Sequence, residues 1–346
     1  MVDNNKPFVS LIIPVYNSEK VIGRCLEAVS GQDYPKDKME VVIPDAGSKD
    51  RTLEIAESYS ERLNIVITDN PLKTGEAGKS AGIENSRGSI LAFIDSDNIM
   101  PSSDFISKMI KPFEDDPDIM GTEPLYFVYD KKDRPLTKYF ASSGVNDPLC
   151  LFIGNYDRYS YITGKWTGFS FKSEETEEYI KIDLEEKKIP TIGANGTFLR
   201  KDLLKKVNYK PYMFDIDVVY EMLKNGNRKF VKVKTGIIHI YAPNMGSFVK
   251  KQHRRISDFL FFNKERQRSY PWSSFPLKGV LLFVFYCLAV IPLVFQAIKG
   301  FVRRPAPYWI YHVPVCEITL FIYGWTFLKA KITGKAGIKN RDNYGQ

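Results

Sequence analysis

Two carboxylates one residue apart, Asp95 and Asp97, close the run Ser89-Ile-Leu-Ala-Phe-Ile-Asp-Ser-Asp-Asn98. A pair of hard oxygen donors at a strand end can hold a divalent cation, and such a cation bridges and neutralises a diphosphate. Taken alone, Asp-x-Asp is more often an acidic turn, so its neighbours in space must decide. Two further polar segments have the same setting. Pro14-Val-Tyr-Asn17 follows the apolar run Phe8–Ile13, and Asp45 follows Met39–Pro44.

The elements that would carry these groups alternate. Strands are expected over residues 8–14, 39–44, 64–68 and 89–94, because each is a short apolar run bounded by turn residues. Between them, Val21, Ile22, Cys25, Leu26 and Val29 recur at helical spacing from a start near Glu19, with Asn17 or Ser18 able to cap. Leu53, Ile55 and Ala56 mark a second helix capped by Ser48 or Asp50, and residues 75–88 form a glycine-punctuated loop and helix. This rhythm predicts an α/β fold with βαβ units and a mostly parallel sheet. Ligands of such sheets bind at the carboxyl ends of the strands, where Asn17, Asp45, Asp95 and Asp97 would converge. No G-x-G-x-x-G and no Walker A sequence occurs, which argues against dinucleotide and P-loop chemistry.

The chain has 346 residues, 44% hydrophobic and 26% charged, a balance suited to a globular core. Its net charge of +8 suits an anionic partner such as acidic lipid or a phosphorylated substrate. A nucleic-acid partner is disfavoured, because the positive charge gathers beside the apolar C-terminal region. Cys25, Cys150, Cys287 and Cys316 lie far apart and show neither zinc nor disulfide spacing.

Residues 8 to about 255 resemble an inverting glycosyltransferase of the GT-A fold, glycosyltransferase family 2. Val9-Ser-Leu-Ile-Ile-Pro-Val-Tyr-Asn17 resembles that family's first strand. Asp45-Ala-Gly-Ser-Lys-Asp-Arg-Thr52 resembles its Asp-Asp-Gly-Ser-x-Asp-x-Thr segment, with Ala46 in place of the second acid. Gly78-Lys-Ser-Ala-Gly-Ile83 stands where Ala-Arg-Asn-x-Gly is frequent, and Ile94-Asp-Ser-Asp97 matches the metal motif. Thr191–Arg200 and Met213–Gly226 are similar to the segments beside the donor sugar and around the catalytic base. In the latter, Phe214 replaces the usual glutamate.

This resemblance implies that Pro14, Tyr16, Asn17 and Glu19 surround the nucleotide, that Asp45 binds its base and that Lys79 approaches its phosphates. Asp97, with Asp95 and His239, would hold Mg2+ or Mn2+. Asn195 would lie by the donor sugar, and Asp215 would be the base, with Asp217 the alternative. Gln252 and Arg255, in Lys250–Ile256, are similar to a Gln-x-x-Arg-Trp motif whose tryptophan is here Ile256; they would close over acceptor and diphosphate. Plainer readings stand beside these: a helix-start acid for Glu19, a solvated lysine for Lys79, an N-cap for Asp215, a structural histidine for His239, and a basic interfacial helix around Lys250.

Gly279–Ile298 is uncharged and about the length of a bilayer crossing, and Tyr308–Leu328 is a second such stretch, broken by Pro314. The expected organisation is a glycosyltransferase domain over 1–255 (nucleotide half 1–100, acceptor half 101–255), then a basic interfacial segment 256–276. Two candidate transmembrane helices would occupy 277–330 and a basic tail 331–346, with Trp272, Tyr308 and Trp309 as interface anchors. Two crossings place the catalytic domain on the cytoplasmic side of the cell membrane, multi-pass or hairpin-anchored. The donor would be a UDP- or GDP-linked sugar and the acceptor a lipid-linked glycan hydroxyl. A bare polyprenyl phosphate acceptor, or a non-catalytic membrane scaffold with the same fold, are the competing readings.

Overall fold

The computed structural model describes residues 6–264, 268–271 and 276–333. In chain order its first elements are β1 (Val9–Ile12), α1 (Ile22–Ser30), β2 (Met39–Asp45), α2 (Thr52–Glu57), β3 (Ile65–Asp69), α3 (Gly75–Asn85), β4 (Ile90–Ile94) and β5 (Asn98–Ile99). Next come α4 (Phe105–Asp115), β6 (Gly121–Val128), α5 (Pro135–Ser143), α6 (Leu149–Ile153), β7 (Lys172–Glu175), β8 (Tyr179–Asp183), β9 (Asn195–Arg200), α7 (Lys201–Leu204) and α8 (Asp215–Lys224). The last are β10 (Lys229–His239), α9 (Met245–Lys264), α10 (Leu277–Ala289), α11 (Ile291–Arg303) and α12 (His312–Thr333).

The strands form one sheet in the order β3-β2-β1-β4-β9-β6-β10-β8-β7, with β5 added against β10. Pairing is parallel from β3 to β4. Beyond β4 the pairs β4–β9, β9–β6, β10–β8 and β8–β7 are antiparallel, so the sheet is mixed rather than mostly parallel. Strands β1 and β4 are buried along their whole length, as expected of parallel strands covered on both faces. The strand order turns back between β1 and β4, and a crevice at the carboxyl ends of strands belongs at such a switch point.

Helix α1 begins at Ile22 and not near Glu19, because residues 17–19 are held in cross-links to the next loop. Residues 172–183 supply β7 and β8, whose charged, exposed outer strand protects the sheet edge. Strand β10 runs unbroken through the Thr235-Gly236 step, and Lys234 N–H donates to Glu178 O (2.7 Å).

By contacts the chain divides into two compact units. The first comprises residues 6–125 and 171–238 of the described chain, the second 126–170 and 239–333. The stretch 126–170 therefore groups with the C-terminal helices. Within the second unit the first apolar run is two 13-residue helices bent by 96° at Val290 (φ 57°), while Pro307–Thr333 is continuous and long and apolar enough to cross a membrane. The expectation was the reverse, an unbroken first segment and a second one interrupted by Pro314. Trp272 and most of the basic tail lie outside the described residues.

At the amino ends of β1 and β2 the fully buried Glu40 carboxylate accepts from Ser10 Oγ (2.6 Å), Arg87 N–H (2.6 Å) and Arg87 Nε (2.8 Å). Burial works against its charge, but these donors outweigh burial and hold its pKa below the ordinary glutamate value. A folded pKa below the unfolded one means that the clamp contributes fully above the ordinary glutamate range and is lost as pH falls through the depressed value. Glu40→Ala is expected to cost about 3 kcal/mol at neutral pH, read as a lowered denaturant midpoint, with the difference from wild type shrinking in acid.

Candidate active site

Three loops at the carboxyl ends of β1, β2 and β4 are tied to one another by short side chains. Asn17 adopts a left-handed conformation (φ 47°); its N–H donates to Ser48 Oγ (3.0 Å) and its Oδ1 accepts from Lys49 N–H (2.8 Å). The Glu19 N–H donates to Asp50 Oδ2 (3.1 Å) while Glu19 Oε2 accepts from Arg51 N–H (3.3 Å). Asp50 also accepts from Thr52 N–H (3.0 Å), while the N-cap position of α2 falls on Arg51 and not on Ser48 or Asp50 as expected. Ser18 joins all three loops, its N–H donating to Thr52 Oγ1 (2.6 Å) and its hydroxyl meeting Ser96 Oγ (3.1 Å). Asn17, Ser18 and Glu19 thus act as braces rather than helix caps. Pro14 and the exposed Tyr16 flank them on the same loop.

Asp45 closes its own turn, accepting from Gly47 N–H (3.0 Å) and Ser48 Oγ (2.6 Å), with Gly47 at φ 82°. Ser48 N–H adds a third donor, at 3.0 Å from Oδ2 and 3.2 Å from Oδ1, so the turn's own donors meet each carboxylate oxygen twice.

Lys79 and Asp215 meet directly, Nζ to Oδ2 at 2.5 Å. Lys79 lies on α3, and glycines let that helix approach β1 closely: a Cβ at Gly82 would stand 2.3 Å from Ile12 Cγ2, and one at Gly78 2.8 Å from Pro14 Cβ. Asp215 is the first residue of α8, yet its side chain makes no capping bond and is spent on Lys79. Burial pushes the Asp215 carboxyl up, the Lys79 ammonium pulls it down and Glu76 pushes it up again; the net shift is upward. Burial disfavours the Lys79 cation, but Asp215 and Glu76 outweigh burial and keep it protonated. A carboxylate raised toward neutrality, 24% exposed and held by one fixed cation, has the properties of a general base. Asp217, two residues on, is almost fully buried.

Asp95 and Asp97 sit just past β4. Their turn is closed by Asn98, which accepts from Asp95 N–H (3.0 Å), donates its own N–H to Asp95 O (2.9 Å) and reaches Asn195 Oδ1 through Nδ2 (3.1 Å). Beneath it, burial and the charges of Asp97 and Asp95 keep the Cys25 thiol neutral. Strand β5, starting at Asn98, pairs with β10, whose last residue is His239. Asp95 and Asp97 offer carboxylate oxygens of the kind that hold a divalent cation such as Mg2+ or Mn2+ while leaving positions for phosphate oxygens. His239, the last residue of β10, groups with the second unit. Asn146 Nδ2 lies 3.3 Å from His239 Nδ1 and fixes the ring.

Gln252 and Arg255 lie on α9 in the second unit. Gln252 is fully buried, donating to Asn146 O (3.1 Å) and accepting from the Tyr323 hydroxyl (2.7 Å). Arg255 donates to the same carbonyl (3.1 Å) and lies 3.7 Å from Asp147 Oδ2. Their side chains brace this unit internally, which differs from the expected direct grip on diphosphate. Asn98 and Asn146 escaped the sequence reading. For Asn98 a signal was present, since an amide immediately after Asp-Ser-Asp can close the turn.

With the geometry in place, comparison with known proteins is decisive. A family model described as glycosyl transferase family 2 matches residues 10–207, more than half of the chain. The chain belongs to that family.

Glycosyltransferase AglE of Haloferax volcanii is 50% identical to it over 94 residues, 26% of this chain and 31% of the relative. A Methanococcus voltae enzyme, dolichyl N-acetyl-alpha-D-glucosaminyl phosphate 3-beta-D-2,3-diacetamido-2,3-dideoxy-beta-D-glucuronosyltransferase, is 33% identical over 110 residues, 31% of this chain and 34% of the relative. The match thus spans about a third of either relative's length. Among solved structures, the mannosyltransferase PcManGT from Pyrobaculum calidifontis, in complex with GDP-Man and Mn2+, superimposes with TM-score 0.53 at 16% identity, covering 93% of this chain and 88% of that one. That likeness establishes the α/β GT-A fold.

Two outcomes test the site. Asn98→Ala is expected to weaken Mn2+ binding roughly tenfold or more and Asp97→Ala to weaken it further, measured by the free Mn2+ spectrum in electron paramagnetic resonance. Lys79→Met removes the largest influence that lowers the Asp215 pKa. The acid limb of the kcat/KM–pH profile is therefore expected to move to higher pH, and an unmoved limb would detach Lys79 from the base.

Proposed function

We propose that the chain transfers a sugar, with inversion, from a UDP- or GDP-linked donor to a hydroxyl of a lipid-linked glycan at the membrane surface, with Asp215 as the base. The observation that carries this reading is the Lys79–Asp215 contact at 2.5 Å, which supplies one raised carboxylate beside the strand-end loops. One base suffices for inversion. Asp215 accepts the hydroxyl proton, the oxygen forms a bond to the anomeric carbon, and the bond to the nucleotide diphosphate breaks on the opposite face, its electrons leaving with the diphosphate. Lys79 orients the carboxylate and holds its own proton throughout. Asn195, fixed through Asn98, borders the sugar, and Asp45 with the Asn17 loop receives the nucleoside. When bound, Mg2+ or Mn2+ on Asp95 and Asp97 would neutralise the diphosphate.

A lipid-linked acceptor is supported by the apolar C-terminal helices and by the Methanococcus voltae relative, which is named for a dolichyl phosphate-linked sugar. The cytoplasmic face of the cell membrane is the proposed location.

Asp215→Asn is expected to lower kcat by roughly 10^2- to 10^4-fold with little change in donor KM. The assay pairs labelled nucleotide sugars with a membrane lipid extract. A variant that transfers within a few-fold of wild type would point to an already ionised acceptor, such as a bare lipid phosphate, which needs no base. A wild-type chain that binds nucleotide but transfers nothing would mark a scaffold.

A further inference from the structure

The three C-terminal helices expose apolar stripes of one spacing. On α10 the stripe is Leu281, Phe285 and Leu288; on α11 it is Ile291, Phe295, Ile298 and Val302; on α12 it is Phe321, Trp325, Leu328 and Ile332. Each follows the i, i+4, i+7 pattern of a single helix face. Such faces left open on a folded unit mark an interaction surface.

Length and packing decide how a membrane could meet them. Helices α10 and α11 have 13 residues each, about 20 Å of rise, against a hydrocarbon core of about 30 Å. The 96° bend at Val290 keeps them from adding into one crossing. The other side of α11 is fastened to protein. Leu293 and Gly300 are buried, and Arg303 donates to the carbonyls of Tyr161 (3.0 Å) and Ile162 (2.7 Å). Its apolar face therefore points outward along its whole length.

Helix α12 is long enough to cross, but its partners belong to water. It packs along α9, which exposes Lys250, His253 and Arg254. At its midpoint the Tyr323 hydroxyl lies 2.6 Å from Asp147 Oδ2 and 2.7 Å from Gln252 Oε1, with Arg255 3.7 Å from the same carboxylate. A bilayer centred on α12 would take these charges into the hydrocarbon, where they are strongly disfavoured. Near its start, His312 is buried, bonded to the Tyr139 hydroxyl (2.9 Å) and Gln296 (3.0 Å). His312, Val315, Cys316, Thr319 and Ile322 are its buried residues, and its outer face is open to lipid.

We propose that α10, α11 and α12 lie in one leaflet as an in-plane anchor on an anionic membrane, and that none of them crosses it. The exposed Lys278, Lys299, Lys329 and Lys331 supply the headgroup contacts, in keeping with the net charge of +8. This anchor rests on the proposed membrane association and is independent of the sugar-transfer chemistry.

Two measurements on the full chain test it. In flotation with phosphatidylcholine vesicles, the chain is expected to float, and adding phosphatidylglycerol is expected to tighten binding about tenfold or more, an increase that salt removes. For topology, Pro305→Cys precedes α12 and Thr333→Cys ends it. With a membrane-impermeant maleimide, both are expected to stay unlabelled in intact spheroplasts and to react in inside-out vesicles. Label on one of the pair alone in either preparation means that α12 crosses, which overturns the in-plane anchor and leaves membrane association standing. A chain that does not float, and instead forms a dimer that covers the stripes, overturns both. Loss of transfer activity bears on neither.

Discussion

The contact between Lys79 and Asp215 is the interaction on which the site depends, and much of the first unit exists to make it. It brings a residue of α3 to the first residue of α8, 136 positions later in the chain. That requires α3 to lie against β1 more closely than any side chain at Gly78 or Gly82 permits. Burial pushes the carboxyl up and the ammonium draws it back, with a net upward shift.

Around that pair the structure separates stability from chemistry along the strands. At the amino ends the buried Glu40 and Ser10 form a clamp with the exposed Arg87. At the carboxyl ends the cross-links pass through partly exposed loops, with Asn17, Ser18, Glu19 and Asn98 holding backbone in place by single hydrogen bonds. Loops braced on rigid strands are where a binding site can be both positioned and accessible. The residue types fit this division, since small amides and hydroxyls reach neighbouring backbone without filling the crevice.

The alternation of strand and helix up to β4 could be read from the sequence, because buried parallel strands are short apolar runs with turn residues at their ends. The antiparallel half was less legible. A charged edge such as β7 has no apolar signal, and the turn residues Thr235-Gly236 lie inside a strand whose pairing overrides them. Among site residues, Asp45, Asp95, Asp97 and Asp215 stood out as acids at element ends. The partnership of Lys79 with Asp215 did not, since no local pattern links residues so far apart. Glu19 and Gln252 matched motifs, yet in the structure both are occupied by neighbours within their own unit. Hydropathy found both apolar segments but not the bend at Val290. Nor could it show that α12 shares its length with a basic helix, because mean hydropathy counts residues and not faces.

The role proposed for Asp215, a single base, commits the reaction to one displacement, so the stereochemistry of transfer is its most direct test. The measurement is the anomeric configuration of the newly formed linkage, read by proton NMR on product made from a donor of known configuration. Inversion is the result that the Lys79–Asp215 arrangement predicts. Retention would require a second nucleophile or a different mechanism, and would contradict the role given to Asp215.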